Sequence, residues 1–236
     1  GIITMHKVIN FGSALQAYAL QKKVEDIGCK AEMIDYKYPN VIHKDKVSFI
    51  GNFIKHLIHY INCAVVGFPN IRQTKRYKKV WKDYFHLSSN RYSTEQELKA
   101  NCPEYDIYMT GSDQVWNWNF KRGSWIDFLQ FAPPEKRIAF AASISLDEIP
   151  KEREEQFKKY ISGMKYISVR EQRAKEIIEE LTDKKADVVL DPTLMLTAEQ
   201  WAKISVRPNI NISKKYILLY FLGKISDIRM SYIKEY

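Results

Sequence analysis

The sequence predicts a doubly wound α/β fold on a mostly parallel sheet. Three observations carry this. A strand, a helix and a second strand fit within the first 36 residues, a βαβ spacing that makes the two strands parallel. The same alternation resumes after residue 105 and repeats to about residue 190. The strand bodies are apolar, whereas small, polar and charged residues gather just past their carboxyl ends.

In chain order, Gly1–Thr4 read as the end of a first strand and Met5–Phe11 as a loop. Gly12 and Ser13 lead into a helix on which Leu15, Ala19, Val24 and Ile27 fall near one face, and Gly28 supplies the stop. Ala31–Tyr36 read as the second strand. Ser48–Phe68 approaches the length of a membrane-spanning helix, but Gly51, Lys55, His56 and His59 interrupt it. It therefore predicts helices packed on the sheet or on a partner domain. The basic run Arg72, Lys75, Arg76, Lys78 and Lys79 supports a second reading, an interfacial helix. Ser93-Thr94-Glu95-Gln96 reads as a capping box opening a short helix that ends before Pro103.

Strands are expected over Asp106–Thr110, Trp125–Phe128, Arg137–Ser143, Tyr166–Val169 and Asp187–Leu190. A charged helix is expected over Pro150–Ser162, and another from Arg170–Glu171 to Leu181. Thr197–Gln200 reads as a second capping box. Val206–Ser213 reads as a linker, and Lys214–Leu222 as a long apolar strand opening a second domain. The expected organisation is one domain over residues 1–205, with a helical, variable region at about 40–90. The linker, first strand and first helix of a truncated second domain follow over 206–236. The chain opens mid-strand and without a signal-peptide pattern, as a segment of a longer chain would.

With 45% hydrophobic residues the chain is not of the disordered class. Its net charge of +9 suits phosphates, nucleic acids, anionic lipids or acidic sugars alike. No nucleic-acid module signature is present, so no nucleic-acid partner is expected. Cys29, Cys63 and Cys102 are scattered and odd in number, which predicts reduced thiols in a cytoplasmic protein. No Cys/His cluster has metal spacing, and no acid completes a set with His56 and His59, so no metal site is expected.

In a parallel sheet, ligands bind beyond the carboxyl ends of the strands. There the sequence places His6, Asn10, Gly12, Ser13 and Gln16 after the first strand. Gly111, Ser112, Asp113, Gln114, Trp116 and Asn117 follow the Asp106 strand, Ser143 and Ser145 the Arg137 strand, Arg170 and Glu171 the next, and Asp191 the last. Gly12 and Ser13 open a helix whose free N–H groups suit a phosphate or carboxylate, although an ordinary N-cap serine explains them equally. This is not a GxGxxG loop, so a dinucleotide is not expected despite Asp35 at the end of the second strand. Gly111 lets backbone approach a ligand, Asp113 suits a general base or hydroxyl acceptor, and Gln114 adds a hydrogen-bonding group. Trp116 and Trp118 suit either sugar stacking or core packing. Arg170 offers a guanidinium fork to an anion, or else an ion pair with Glu171 or a neighbouring helix. Asp191-Pro192 reads as loop-shaping.

Several segments, in order, resemble the polysaccharide pyruvyl transferase family: TMHKVINFGSALQAYALQ, IDY, YDIYMTGSDQVWN, KRIAFAASIS, ISVRE and VVLDPTLML. GSDQVWN together with ISVRE and DPTLML is the specific combination. The resemblance implies the Rossmann-like amino-terminal half of a two-domain, GT-B-like enzyme. It further implies transfer of pyruvate from phosphoenolpyruvate onto two hydroxyls of a sugar, forming a ketal on a surface polysaccharide or its precursor, with no cofactor. Carried onto this chain, it places Gly12, Ser13, Gln16, Ser112, Asp113, Gln114 and Arg170 at the cleft, with Asp113 handling a sugar hydroxyl and Arg170 an anionic group. The cysteine usage and the basic run, rather than the resemblance, give the expected setting: cytoplasmic, at the inner face of a membrane, with peripheral membrane association. A nucleotide-sugar-dependent GT-B-like glycosyltransferase and a non-catalytic binding module are the competing expectations.

Overall fold

The computed structural model describes residues 1–38, 69–120, 124–207, 209, 211, 215–220 and 225–235. The helices expected within 48–68, with His56, His59 and Cys63, lie outside the described residues. The chain divides into two compact units, Gly1–Ala198 and Glu199–Tyr236.

The first unit is built on seven parallel strands: β1 (Ile2–Ile3), β2 (Met33–Tyr36), β3 (Leu87–Tyr92), β4 (Tyr108–Thr110), β5 (Arg137–Ala142), β6 (Tyr166–Val169) and β7 (Asp187–Val188). Their order across the sheet is β3-β2-β1-β4-β5-β6-β7. The chain starts at β1, winds outward through β2 and β3, then returns to add β4 to β7 on the other side. This is a Rossmann-like, doubly wound α/β fold, and its winding reverses between β1 and β4.

Alternation along the strands gives the sheet two cores, because successive side chains point to opposite faces. Ile2 and Met33 join Ala17, Leu20 and Phe85 on one face. Their neighbours Ile3 and Ile34 join Trp116, Phe128, Phe157, Ile161, Ile177 and Ile178 on the other. Helices α1 (Phe11–Asp26) and α2 (Pro69–Tyr84) serve the first core. Helices α3 (Glu95–Asn101), α4 (Lys151–Ser162) and α5 (Gln172–Leu181) serve the second through Leu98, Phe157 and Ile161, and Ala174, Ile177 and Ile178.

The structure differs from the sequence reading at several elements. The buried face of α1 is Ser13, Ala14, Gln16, Ala17, Ala19, Leu20 and Gln21, whereas Leu15 and Ile27 are exposed. Small alanines let this helix lie close to the sheet. Gly28 does end it, at φ 87°, with its amide donating to Glu25 O at 2.9 Å. β3 was not expected, since polar residues fill the middle of Leu87–Tyr92; parallel pairing with β2 makes it a strand at the sheet edge. The capping box sits one residue later than read, with Thr94 as N-cap and Glu97 at the third helical position. Trp125–Phe128 is a turn rather than a strand: Phe128 N donates to Ser124 O, and Gln130 N to Trp125 O at 2.8 Å.

α6 (Ala198–Ala202) begins just after Thr197, at the division between the units, and α7 (Asp227–Glu235) lies near the end of the second unit. Lys215–Tyr220 form neither helix nor strand. A strand exists only with a neighbour to share its hydrogen bonds, and among the described residues of this unit there is none.

Candidate functional site

The carboxyl ends of β1 and β4 meet where the winding reverses, the place at which open α/β sheets bind ligands. Asn10, not Ser13, caps α1: its side-chain oxygen accepts from the Ser13 amide at 3.1 Å. That leaves the Ser13 hydroxyl free to reach across the reversal, and it donates to Asp113 Oδ2 at 2.6 Å. Asp113 Oδ1 accepts from the Gln114 amide at 2.8 Å. Asp113 is left-handed at φ 76°, an uncommon conformation for a residue with a side chain. Its backbone is fixed by the amides of Val115 and Ser143, which donate to Asp113 O at 2.8 and 3.0 Å.

The turn before Asp113 is held from below. Gly111 has φ 111°, and a Cβ there would meet Phe140 O at 2.2 Å. The glycine thus answers the close approach of β4 to β5. Ser112 is fully buried. Its Oγ donates to Ala141 O at 2.8 Å, with Asp191 Oδ2 more distant at 3.3 Å. Its carbonyl accepts from Thr4 Oγ1 at 3.1 Å. Thr4 in turn accepts from Gln16 Nε2 at 2.9 Å. Gln16 is 2% exposed, and among the described residues its Oε1 has no hydrogen-bond partner.

Arg170 stands past the end of β6, where its amide donates to Ala142 O at 3.1 Å. Its Nη1 donates to Asp191 Oδ2 at 2.8 Å, and its Nε lies 3.5 Å from Glu171 Oε1. Arg170 thus makes the ion pair expected with Glu171. It pairs with two carboxylates rather than Glu171 alone, and the Nε side of its fork is already faced by Glu171. Asp191 Oδ1 also accepts from the Thr193 amide at 3.0 Å and the Thr193 hydroxyl at 2.7 Å. Burial pushes the Asp191 carboxyl up, but the Thr193 amide, Arg170 and the Thr193 hydroxyl together outweigh it and hold it below its ordinary value. The single turn Pro192–Leu194 packs against α1, so the chain beyond β7 folds back toward the first helix. Ser145 and Ser143 hydroxyls are 2.6 Å apart, and Ser143 donates on to Glu171 Oε1 at 2.5 Å. An unbroken set of contacts therefore links Ser13, Asp113, Ser143, Glu171, Arg170, Asp191 and Ser112 along one rim.

The remaining expected residues separate. Gly12 occupies the first turn of α1. Gln114 Oε1 lies 3.4 Å from Asn117 Nδ2. Trp116 is spent on the core: it is fully buried, stacks on Phe128 with centroids 5.0 Å apart, and donates from Nε1 to Asp127 O. Trp118 is half-buried, with the Arg153 guanidinium 5.4 Å from its ring. Asp35 is occupied by Lys7 at 2.5 Å. Sequence reasoning did not single out Thr4 or the anchoring role of Asp191. The available signals were a polar residue ending an apolar strand, and an Asp-Pro-Thr turn able to fold its carboxylate onto its own backbone.

Among the described residues, no group of three or more His, Cys, Asp or Glu is placed to hold a metal ion. Cys29 and Cys102 are free thiols. No helix among the described residues is long and apolar enough to cross a membrane.

A family model described as polysaccharide pyruvyl transferase matches residues 10–234. The chain belongs to the polysaccharide pyruvyl transferase family. No curated protein and no solved structure gives a match to it. The family match spans α1, the GSDQ turn after β4, the end of β6 and the Asp191 turn, so the whole rim falls within it.

Proposed function

We propose that this protein transfers pyruvate from phosphoenolpyruvate to two hydroxyls of a sugar, forming a cyclic ketal on a polysaccharide or its precursor. Membership of the pyruvyl transferase family sets the reaction class. The observation that carries the reading to particular residues is the Ser13–Asp113 hydrogen bond at the reversal of the sheet.

In this reading Asp113 is the base. A carboxylate oxygen retains a lone pair after accepting one hydrogen bond, so Asp113 can still accept from a sugar hydroxyl. Ser13 and the Gln114 amide fix its orientation, which keeps the carboxylate aimed while a proton moves. The enol methylene of phosphoenolpyruvate gains a proton and becomes the methyl group. The first hydroxyl attacks the adjacent carbon as Asp113 takes its proton. The bond from that carbon to the phosphate oxygen breaks, and inorganic phosphate leaves. The second hydroxyl then adds to the same carbon, losing its proton, and the ketal closes. Donor and two hydroxyls thus balance against ketal and phosphate, without a cofactor.

Arg170 supplies the cation. With Nη1 on Asp191 and Nε beside Glu171, Nη2 is the donor left for the donor's carboxylate or phosphate. The first turn of α1, where Asn10 already takes the Ser13 amide, adds the Gly12 backbone N–H and the positive end of a helix dipole. Gln114 provides a hydrogen-bonding group to the sugar, buried Gln16 braces Thr4 beneath the site, and Gly111 and Ser112 shape the turn that presents Asp113.

The test is phosphate release from phosphoenolpyruvate against a panel of sugar acceptors, with the ketal detected by mass spectrometry. Acceptor-dependent release that Asp113→Asn abolishes supports the reading. Release from UDP- or GDP-sugars instead would replace it with glycosyl transfer, and no turnover with any donor would leave a binding module.

A further inference from the structure

The outer face of α2 is a charged surface that the reaction does not use. The helix turns Tyr77, Trp81 and Tyr84 inward: Tyr77 is buried, and the other two pack on the first core. Phe11 meets Tyr77 with centroids 5.5 Å apart, and Tyr18 meets Tyr84 edge-on at 5.9 Å. Both partners advance by seven residues, two helical turns, so α1 and α2 run in the same direction. The middle of α2, at Tyr77, therefore lies beside the end of α1 that carries Asn10 and Ser13.

Arg72, Lys75, Arg76, Lys78, Lys79 and Lys82 are all exposed. Against these six cations the helix carries one carboxylate, Asp83, so it supplies five of the chain's nine net positive charges. Spacings of three, four and three put Arg72, Lys75, Lys79 and Lys82 on one stripe, with Arg76 and Lys78 flanking it. At about 1.5 Å per residue the stripe runs roughly 15 Å along the helix. Two further observations narrow the partner. The aromatic residues of α2 face the core, so the exposed face offers no ring for stacking on a base or a sugar. Ile71 and Val80, on the shoulders of the stripe, are 51% and 37% exposed, which gives the cations an apolar fringe.

We propose that α2 docks this domain on an anionic phospholipid surface. The apolar side of the helix is already buried in the protein, so docking is by adsorption of the cationic stripe onto headgroups, not by insertion of the helix. The contact lies beside the amino end of α1.

Sedimentation with vesicles tests this. The protein should bind vesicles of phosphatidylcholine containing about one-third phosphatidylglycerol, and leave phosphatidylcholine alone unbound. Raising salt from about 0.1 M to about 0.5 M should release it. The combined Arg72→Glu, Lys75→Glu, Lys79→Glu and Lys82→Glu variant, its fold checked by circular dichroism, should lose at least about tenfold in partitioning. A variant with the same charge change at the exposed Lys151, Lys159, Lys165 and Lys185 should lose far less. Equal binding to both vesicle types, or equal losses in the two variants, would overturn the proposal. So would retention of the protein on a soluble polyanion through α2 with no vesicle binding.

Discussion

Ser13 and Asp113, one hundred residues apart in the chain, share a 2.6 Å hydrogen bond across the point where the sheet reverses its winding. Asn10 makes this possible by capping α1 itself, which spares the Ser13 hydroxyl for a partner outside the helix. A serine in the first turn of a helix thereby becomes a positioning group for a carboxylate on another strand.

Asp113→Asn keeps the shape of the side chain and removes its basicity. Turnover should fall on the order of a hundred- to ten-thousandfold, with little change in the midpoint of urea unfolding. Ser13→Ala should cost about ten- to a hundredfold, the value of one hydrogen bond to a charged group. In the double variant the two effects should fall well short of their product, because Ser13 acts through Asp113. Simple multiplicativity in steady-state kinetics would separate the two residues.

Asp191 links acid stability to the Arg170 anchor. Its folded value is depressed, so the stability it contributes is fully present above the ordinary value of 3.8 and is lost as pH falls through the lower folded value. Asp191→Asn should therefore be less stable than the unaltered protein at pH 7, and the gap should close as the pH drops below that ordinary value. Urea midpoints measured across the acid range read this directly. A gap that stays constant with pH would show that the carboxylate's charge is not what matters.

Gly111→Ala should be severely destabilising, by about 3 kcal/mol or more, or should prevent folding. The new methyl would sit 2.2 Å from Phe140 O, and the backbone is already at φ 111°. Backbone cannot retreat as a flexible side chain can. Thermal unfolding close to that of the unaltered protein would contradict the register of β4 against β5.

Phe128→Ala removes the ring that meets Trp116 at 5.0 Å, Tyr160 at 5.2 Å and Phe157 at 5.9 Å. The expected cost is about 3–5 kcal/mol. Near-ultraviolet circular dichroism should change with it, since the Trp116 environment is lost. Preserved stability with a changed spectrum would mean that the neighbouring rings collapse into the space.

The parallel sheet and most of its helices were legible in the sequence because their signals are local. Apolar runs such as Tyr166–Val169 and the stop at Gly28 depend on neighbours a few residues away. The set of polar residues at the strand ends was legible for the same reason. β3 was not, because Leu87–Tyr92 has little strand character of its own and is made a strand by β2. The apparent strand at Trp125–Phe128 failed in the opposite sense, its apolar residues closing a turn over the core.

By itself, the sequence determined the α/β class, the family and the identities of the polar groups past each strand. The tertiary structure alone decided which of those groups meet. It gave Ser13 to Asp113, gave Asp191 to Arg170, and took Trp116 into the core. The physical reason is that strand order is set by pairing between distant segments, and only that order brings the ends of β1 and β4 together.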